Sequence, residues 1–478
     1  MSQQAAPAST SSSPSHHSLS LSRWRVDTFR AFRHRNYRLY FCGQFVSVTG
    51  SWAQSAALMW LAYELTHENR WPALVGAMQV LPTAVLGAWG GSLADRLPKR
   101  TLIFLTQAAL LLLAVLLGGL VLLGQVTPWI LLAVATAAGI VNAIDLPARL
   151  AFVIDMVGRE DLPNAIALNS MLFNLARMLG PILSGILFSK IRADMGQVAA
   201  GMCFMLNGLS FVAVLAALAW MELPSSALSL ARSASDGPKR PSLALRASEN
   251  SDKNSLWAGF RYLGHHPRLI FLTVLSAAMS LFGWPIVSLL PAVADQRLHG
   301  STDVYAWMLS AIGGGAGFAS LLVATFHTAQ LRRWFLAVGV CLASSSLLGL
   351  AMARSLPLAV GCCAFLGCGL LLFFPTSQSI MQLGSADLVR GRVMGIWSMV
   401  LSAAFPLGHL LAGHAADRWL NDRSLSEALR LWLSVGPDEP SGLPLVLAIM
   451  GVGIAAAAAF VFLLVCIHSL ASNPRLRR

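Results

Sequence analysis

The chain has 478 residues, of which 56% are hydrophobic and 12% charged, with a formal net charge of +13 and a mean hydropathy of +0.65. Soluble domains carry roughly a quarter charged residues, and a domain this apolar has too little polar surface to stay dispersed. Runs of about 20 apolar residues, the length that spans a bilayer core, recur without the alternation of a membrane β-barrel. That leaves a polytopic, all-α membrane protein.

The first ~37 residues are Ser-rich, and six arginines, Arg23, Arg25, Arg30, Arg33, Arg35 and Arg38, fall in or directly after them, with no apolar core. This composition predicts a basic tail leading into a short interfacial helix rather than a cleaved secretory signal; an organellar transit peptide shares the bias and stays as an alternative. Reading apolar runs between charge, Pro and Gly punctuation then predicts twelve transmembrane helices, at 39–64, 72–95, 101–124, 128–155, 163–189, 198–221, 268–295, 304–326, 333–353, 357–382, 391–416 and 441–468. The polar segment 222–267 separates the sixth from the seventh. The expected organisation is therefore a tail at 1–37, a six-helix half at 38–221, a linker at 222–267, a second six-helix half at 268–468 and a tail at 469–478.

Charge supports the even helix number. With the N-terminus inside, 25 of the 34 Lys and Arg fall on the inner side and eight on the outer side, and Arg177 falls within a span. Inner loops enriched in Lys and Arg are the positive-inside signature, so both termini are expected in the cytoplasm. The positive charge is then a topology signal rather than a nucleic-acid footprint, since no basic patch is interleaved with aromatics. A weak internal repeat links the halves: Asp161-Leu162 leads to Leu179-Gly180-Pro181 and Gly185, and Asp387-Leu388 leads to Pro406-Leu407-Gly408 and Gly413. Two six-helix repeats joined by a polar linker are the layout of a parallel-repeat transporter.

The seven cysteines all lie in apolar runs, so no disulfide framework is implied. Cys362-Cys363 with Cys368 lacks a flanking His or acid and is read as small core residues rather than a metal site. Gly313-Gly314-Gly315-Ala316-Gly317 lacks the following Lys-Ser/Thr of a phosphate cradle and is read as close helix packing. His409 and His414, five residues apart, do not share a helix face and form no zinc pair. No nucleophile–base constellation points to an enzyme, and no cofactor is implied.

The sharpest motif runs from Gly90 to Arg100, at the inner end of helix two. Gly91 permits close helix approach, Asp95 can receive a helix N-terminus, and Lys99 and Arg100 can pair with an acid on a neighbouring helix. Here the chain resembles the major facilitator superfamily, whose loop between helices two and three carries Gly-x-x-x-Asp-Arg-x-Gly-Arg-Lys/Arg. Gly91, Asp95, Arg96, Lys99 and Arg100 match, and Pro98 replaces a Gly. The corresponding loop of the second half, 317–333, lacks the acid. In helix five, Asn174 to Gly185 is similar to the antiporter motif of drug exporters in that superfamily, with Gly180, Pro181 and Gly185 in register and Ser184 replacing a Gly. Phe32-Arg33-His34-Arg35-Asn36-Tyr37-Arg38, Trp60-Leu61-Ala62-Tyr63-Glu64, Asp145-Leu146-Pro147-Ala148-Arg149 and Asp161-Leu162-Pro163-Asn164 resemble the transmembrane secretion effector branch, which contains the enterobactin exporter and the macrolide efflux proteins. The resemblance spans about residues 30–470.

A charge at the bilayer centre costs at least ~2.5 kcal/mol, so ionisable residues inside spans are functional candidates. Asp145 and Arg177 lie well inside, and Arg149 sits one turn beyond Asp145, available as an i,i+4 partner. Two readings stay open: Asp145 titrates during a proton-coupled cycle, or it forms a permanent structural pair with Arg149 or Arg177. Glu64, at an outer helix end, reads as a solvated rim acid. Gln44, Trp52, Gln54, Trp284 and His409 are candidates to line a ligand cavity.

The resemblance implies a monomeric secondary transporter in the plasma membrane. It would use protons to export an amphipathic small molecule, such as a siderophore, antibiotic or other xenobiotic, by alternating access. It further implies that Asp95 meets the start of helix eleven, near Gly391 to Met394, and that Lys99 or Arg100 meets Asp155. Two alternatives are carried: translocation of lysophospholipid by a related branch, and a transporter-like sensor that moves nothing.

Overall fold

The structure, a computed structural model, describes residues 29–191, 196–222, 255–326, 328–386, 389–418, 433 and 442–471. Most of the tail, most of the central linker and Asp387-Leu388 lie outside these residues. Among the described residues, twelve long helices form two six-helix halves: α1 (Arg35–Glu64), α2 (Arg70–Arg96), α3 (Lys99–Leu122), α4 (Pro128–Gly158), α5 (Glu160–Phe188) and α6 (Gly196–Trp220) in the first. The second holds α7 (Pro267–Arg297), α8 (Thr302–Thr325), α9 (Ala329–Met352), α10 (Leu356–Gly384), α11 (Arg390–Arg418) and α12 (Gly442–Ala471). Each matches one predicted span to within several residues.

Ten of these helices are long and apolar enough to cross a membrane, and α2, bent by 61° between Arg70–Gly87 and Trp89–Arg96, makes eleven. The remaining one, α1, is too polar by composition because it carries Gln44, Ser47, Ser51, Gln54 and Ser55, yet most of its length is buried. Its polar groups face other helices rather than lipid, which is how a membrane bundle tolerates them.

Three boundaries differ from the sequence expectation. First, α1 starts at Arg35 rather than at residue 39 and is preceded by a turn at Arg30–Arg33, in the stretch where a short helix was expected. The cause is a clasp on the first residues of α5. Asp161 receives Arg30 Nε at 2.8 Å, Arg33 Nη2 at 2.7 Å and His34 Nε2 at 2.8 Å, and Asn164 accepts the Ala31 N–H at 2.9 Å. Second, the end of the predicted linker is a helix, Ser255–His265, whose Tyr262 hydroxyl accepts the Ala386 N–H at 3.2 Å. Third, the predicted loop between helices four and five shrinks to one residue with non-helical backbone, Gly158 at φ 71° and ψ 179°.

Prolines set how the helices touch. A proline inside a helix leaves the carbonyl four residues back without its N–H donor. A Cβ at Gly139 would lie 2.7 Å from the Met78 carbonyl freed by Pro82. Gly90 packs onto the Ala143 carbonyl freed by Pro147, and Gly408 onto the Leu281 carbonyl freed by Pro285. Each freed carbonyl is thus covered by a neighbouring helix that has no side chain in the way. The halves meet where α2 packs on α11 and α5 on α8.

Candidate functional site

In the first half, Asp145 is fully buried on α4. Its carboxylate accepts the Thr106 hydroxyl at 2.6 Å, and the Gln107 amide nitrogen donates into it from 3.1 Å to each oxygen. Arg149 Nε lies 2.7 Å from Asp145 Oδ2, and Arg149 Nη1 donates to Gln44 on α1 at 3.0 Å. The pair formed is therefore Asp145–Arg149, one turn apart, and Arg177 takes no part in it. Thr106 and Gln107 were legible as polar residues adjoining in an otherwise apolar α3, a signal not used from sequence. Beside this network lies a cavity of about 280 Å³ whose polar lining includes Gln54, Gln79, Gln107, Asn142, Arg149 and Asn207. Gln54 accepts Asn207 Nδ2 at 2.7 Å, and Trp52 closes the same cavity on its interface side. Gln44 is buried beneath Arg149 and lines a smaller pocket instead.

Arg177 stands on α5 at mid-depth. Its guanidinium carbon lies 5.0 Å from the centre of the Trp52 ring on α1 and 5.7 Å from that of Trp284 on α7. Gly180, one turn on, lets α5 settle against Trp52 and the Thr49 carbonyl, and Gly313 of α8 seats on the backbone of Arg177 and Met178. Gly185 similarly seats on Ala306 of α8, with Pro181 between them on the same helix. These small residues therefore place Arg177 where the two halves meet. Trp284 continues into an aromatic shelf, with Phe374 and Phe405 each at 6.1 Å, and Phe405 adjoins His409 at 4.6 Å. His409 is buried, shares a hydrogen bond with the Ser288 hydroxyl at 2.9 Å through Nδ1, and leaves Nε2 without a partner.

The end of the bundle away from the basic segments is closed. Tyr63 donates to Asp295 at 2.8 Å and accepts from Gln296 at 3.0 Å. Asp417, on the last turn of α11, accepts the backbone N–H groups of Asn69 and Arg70 at 2.7 and 2.8 Å and the Asn69 side chain at 2.9 Å. Asn69 is the N-cap of α2 but its own side chain caps nothing, so the free N–H groups that every helix start presents are satisfied by a carboxylate from the other half. Of these residues Tyr63 alone stood in a motif quoted from sequence, the Trp60–Glu64 stretch, and none was given a role in closure. Yet Gly413-His414-Ala415-Ala416-Asp417-Arg418 repeats the Gly-x-x-x-Asp-Arg pattern of Gly91 to Arg96, and that repetition was the available signal.

The basic end is different. Lys99 Nζ lies 2.9 Å from Asp155, and Arg100 donates to the Ala219 carbonyl at the end of α6 at 3.1 Å, where a helix C-terminus favours a cation. Asp95 and Arg96 are exposed and have no hydrogen bond or ion pair among the described residues. Gly91, Gly391 and Gly395 have no neighbouring atom within 4 Å of a Cβ position. The expected close approach at Gly91 is thus absent in this conformation and is made by Gly90 against α4 instead. Glu64 also departs from expectation: it is no rim acid, since Oε2 is buried without a hydrogen-bond partner and Oε1 lies 2.8 Å from a Cβ position at Gly196, the first residue of α6.

Two six-helix halves, bonded to each other through Asp417 and Tyr63 and holding charges at mid-depth, define a secondary transporter of the major facilitator type, not an enzyme. The chain belongs to the transmembrane secretion effector family, whose profile matches residues 26–435. It is 24% identical over 389 residues to the staphyloferrin A transporter of Staphylococcus aureus, covering 80% of this chain and 89% of that one. It is 21% identical over 392 residues to macrolide efflux protein A of Streptococcus pyogenes, covering 81% and 91%. Among solved structures, a bacterial homologue of the human lysosomal transporter Spinster, inward-facing and unoccupied, superposes with a TM-score of 0.66 at 16% identity over 90% of this chain and 97% of that one.

Proposed function

We propose that this chain is a proton-coupled exporter of an amphipathic small molecule, working by alternating access as a monomer in a bacterial plasma membrane. Both termini and the linker at 222–267 are cytoplasmic in this reading. The observation that carries it is an asymmetry between the two ends: the halves are bonded at one end through Asp417 and Tyr63, while at the other Asp95 is exposed and has no hydrogen bond or ion pair among the described residues. With the Lys- and Arg-rich end inside, the conformation is inward-facing. Asp95 is then the group that reaches the start of α11 when the inner side closes. The efflux activity named for the streptococcal relative supports the outward direction.

Orientation is checked by labelling intact cells. Single cysteines replacing Arg70 or Gly300 are expected to react with an impermeant thiol reagent from outside, and one replacing Ser235 is not; the reverse pattern overturns the topology. Export is checked in an efflux-deficient strain. Expression is expected to lower accumulation of at least one member of a panel of siderophores and macrolides, and a protonophore is expected to restore it. Accumulation unchanged across the panel counts against export.

A further inference from the structure

Arg177 has the surroundings of a ligand-binding cation rather than of a structural one. The acid nearest in role, Asp145, is already neutralised by Arg149. Arg177 Nε is buried without a hydrogen-bond partner, and no ion pair to Arg177 occurs among the described residues. What holds the guanidinium is a pair of indole faces, Trp52 from the first half and Trp284 from the second. Cation–π contact stabilises the charge without using its N–H donors, which therefore stay available. A planar guanidinium with open donors matches a carboxylate or similar oxyanion in bidentate fashion.

The neighbours suit the rest of such a ligand. Trp52, Trp284 and Phe405 are each only partly buried, and Trp284 leads onto Phe374 and Phe405 as a continuous aromatic surface. The cluster lies at mid-depth between the halves, where transporters of this architecture hold substrate. One indole belongs to each half, so a molecule seated on Arg177 touches both moving bodies.

We infer that Arg177, Trp52 and Trp284 form the substrate's anion-binding site, and that the exported molecule is an amphipath bearing a carboxylate or equivalent oxyanion with an aromatic or apolar body. This rests on the transporter reading above and narrows its substrate class.

The test uses two probes of one shape, 2-naphthylacetate and the neutral 2-naphthylacetamide, with the full-length purified chain in detergent. Binding is read by tryptophan fluorescence. The acetate is expected to bind about tenfold tighter than the amide, which corresponds to about 1.4 kcal/mol. Arg177→Gln is expected to erase that preference, and Arg177→Lys, which keeps the charge but not the fork, to retain part of it. Trp52→Phe and Trp284→Phe, with thermal unfolding run alongside to confirm folding, are each expected to reduce the fluorescence change on acetate binding. No acetate binding, equal affinity for the two probes, or a preference untouched by Arg177→Gln overturns the site. The two readings separate in proteoliposomes. Gradient-driven movement of a probe without any charge preference defeats the anion site and leaves transport standing. A charge preference in binding with no driven movement of either probe defeats transport and leaves the site standing.

Discussion

In proteoliposomes with an imposed proton gradient, Asp145→Asn is expected to lower driven transport roughly tenfold or more, a loss of about 1.4 kcal/mol per decade, while substrate counterflow without a gradient persists. The reason lies in how the carboxylate is held. Asp145 is bonded by Thr106, Gln107 and Arg149 at once, and Arg149 reaches across to Gln44 on α1. Of these partners, Thr106 and Gln107 belong to α3, and Arg149, on α4 itself, is the one tied onward to α1. Motion of α1 against α4 would then act on the Asp145–Arg149 pair through the Arg149–Gln44 bond. Stability complicates the single variant, because removing one member of a buried ion pair costs on the order of 3–5 kcal/mol. Asp145→Asn and Arg149→Gln are therefore each expected to lower the unfolding temperature, and the double variant to recover a good part of the loss through coupling of ~1–3 kcal/mol. Driven transport at the wild-type rate in the stable double variant would remove Asp145 from the coupling mechanism.

Asp417→Ala is expected to open the end of the bundle that is closed here. Asp417 accepts three hydrogen bonds at the start of α2, and bonds to a charged group contribute ~1.5–3 kcal/mol each. Water replaces part of that on opening, so a net loss of roughly 3 kcal/mol is reasonable, equivalent to a shift of about 100-fold between the two states. Spin labels at His67 and His414, both exposed, report the separation of the halves. A longer distance is expected to dominate in the variant, and Asp95→Asn is expected to bias the protein towards the short one. An unchanged distance distribution in Asp417→Ala would show that the aspartate is not what holds this end.

The membrane spans were legible in the sequence because a bilayer demands about 20 apolar residues at a stretch, and no tertiary partner is needed to see that. The Asp145–Arg149 pair was legible for a similar reason, since residues four apart share a helix face. What escaped were contacts between residues far apart in the chain. Asp161 gives no hint that Arg30, Arg33 and His34 will close on it, so the short helix expected of the tail came without its partner. Glu64 looked solvated by its place at a helix end, whereas Gly196 brings α6 down on it. Arg177 could be recognised as an intramembrane charge, but its two indoles come from helices more than 100 residues away in each direction. Asp417 is the instructive miss, because its Gly-x-x-x-Asp-Arg pattern was present and was noticed at one end of the bundle only.

Gly158 is the one point between Pro128 and Lys190 where the backbone leaves helical geometry. Its φ of 71° with an extended ψ lies in a region that residues with a Cβ enter only at a cost of about 1–3 kcal/mol. A reversal made in one residue has no slack. In a jointed mechanism a long loop acts as backlash, absorbing displacement before the next member moves. Here the helix that carries Arg177 follows the helix that carries Asp145 across the single non-helical residue Gly158, so a tilt of α5 on engaging the proposed ligand would pass to α4 with little slack. The Asp145–Arg149 pair and Arg177, in the roles proposed for them, would then ride on one lever, and lengthening the joint would uncouple them without touching either.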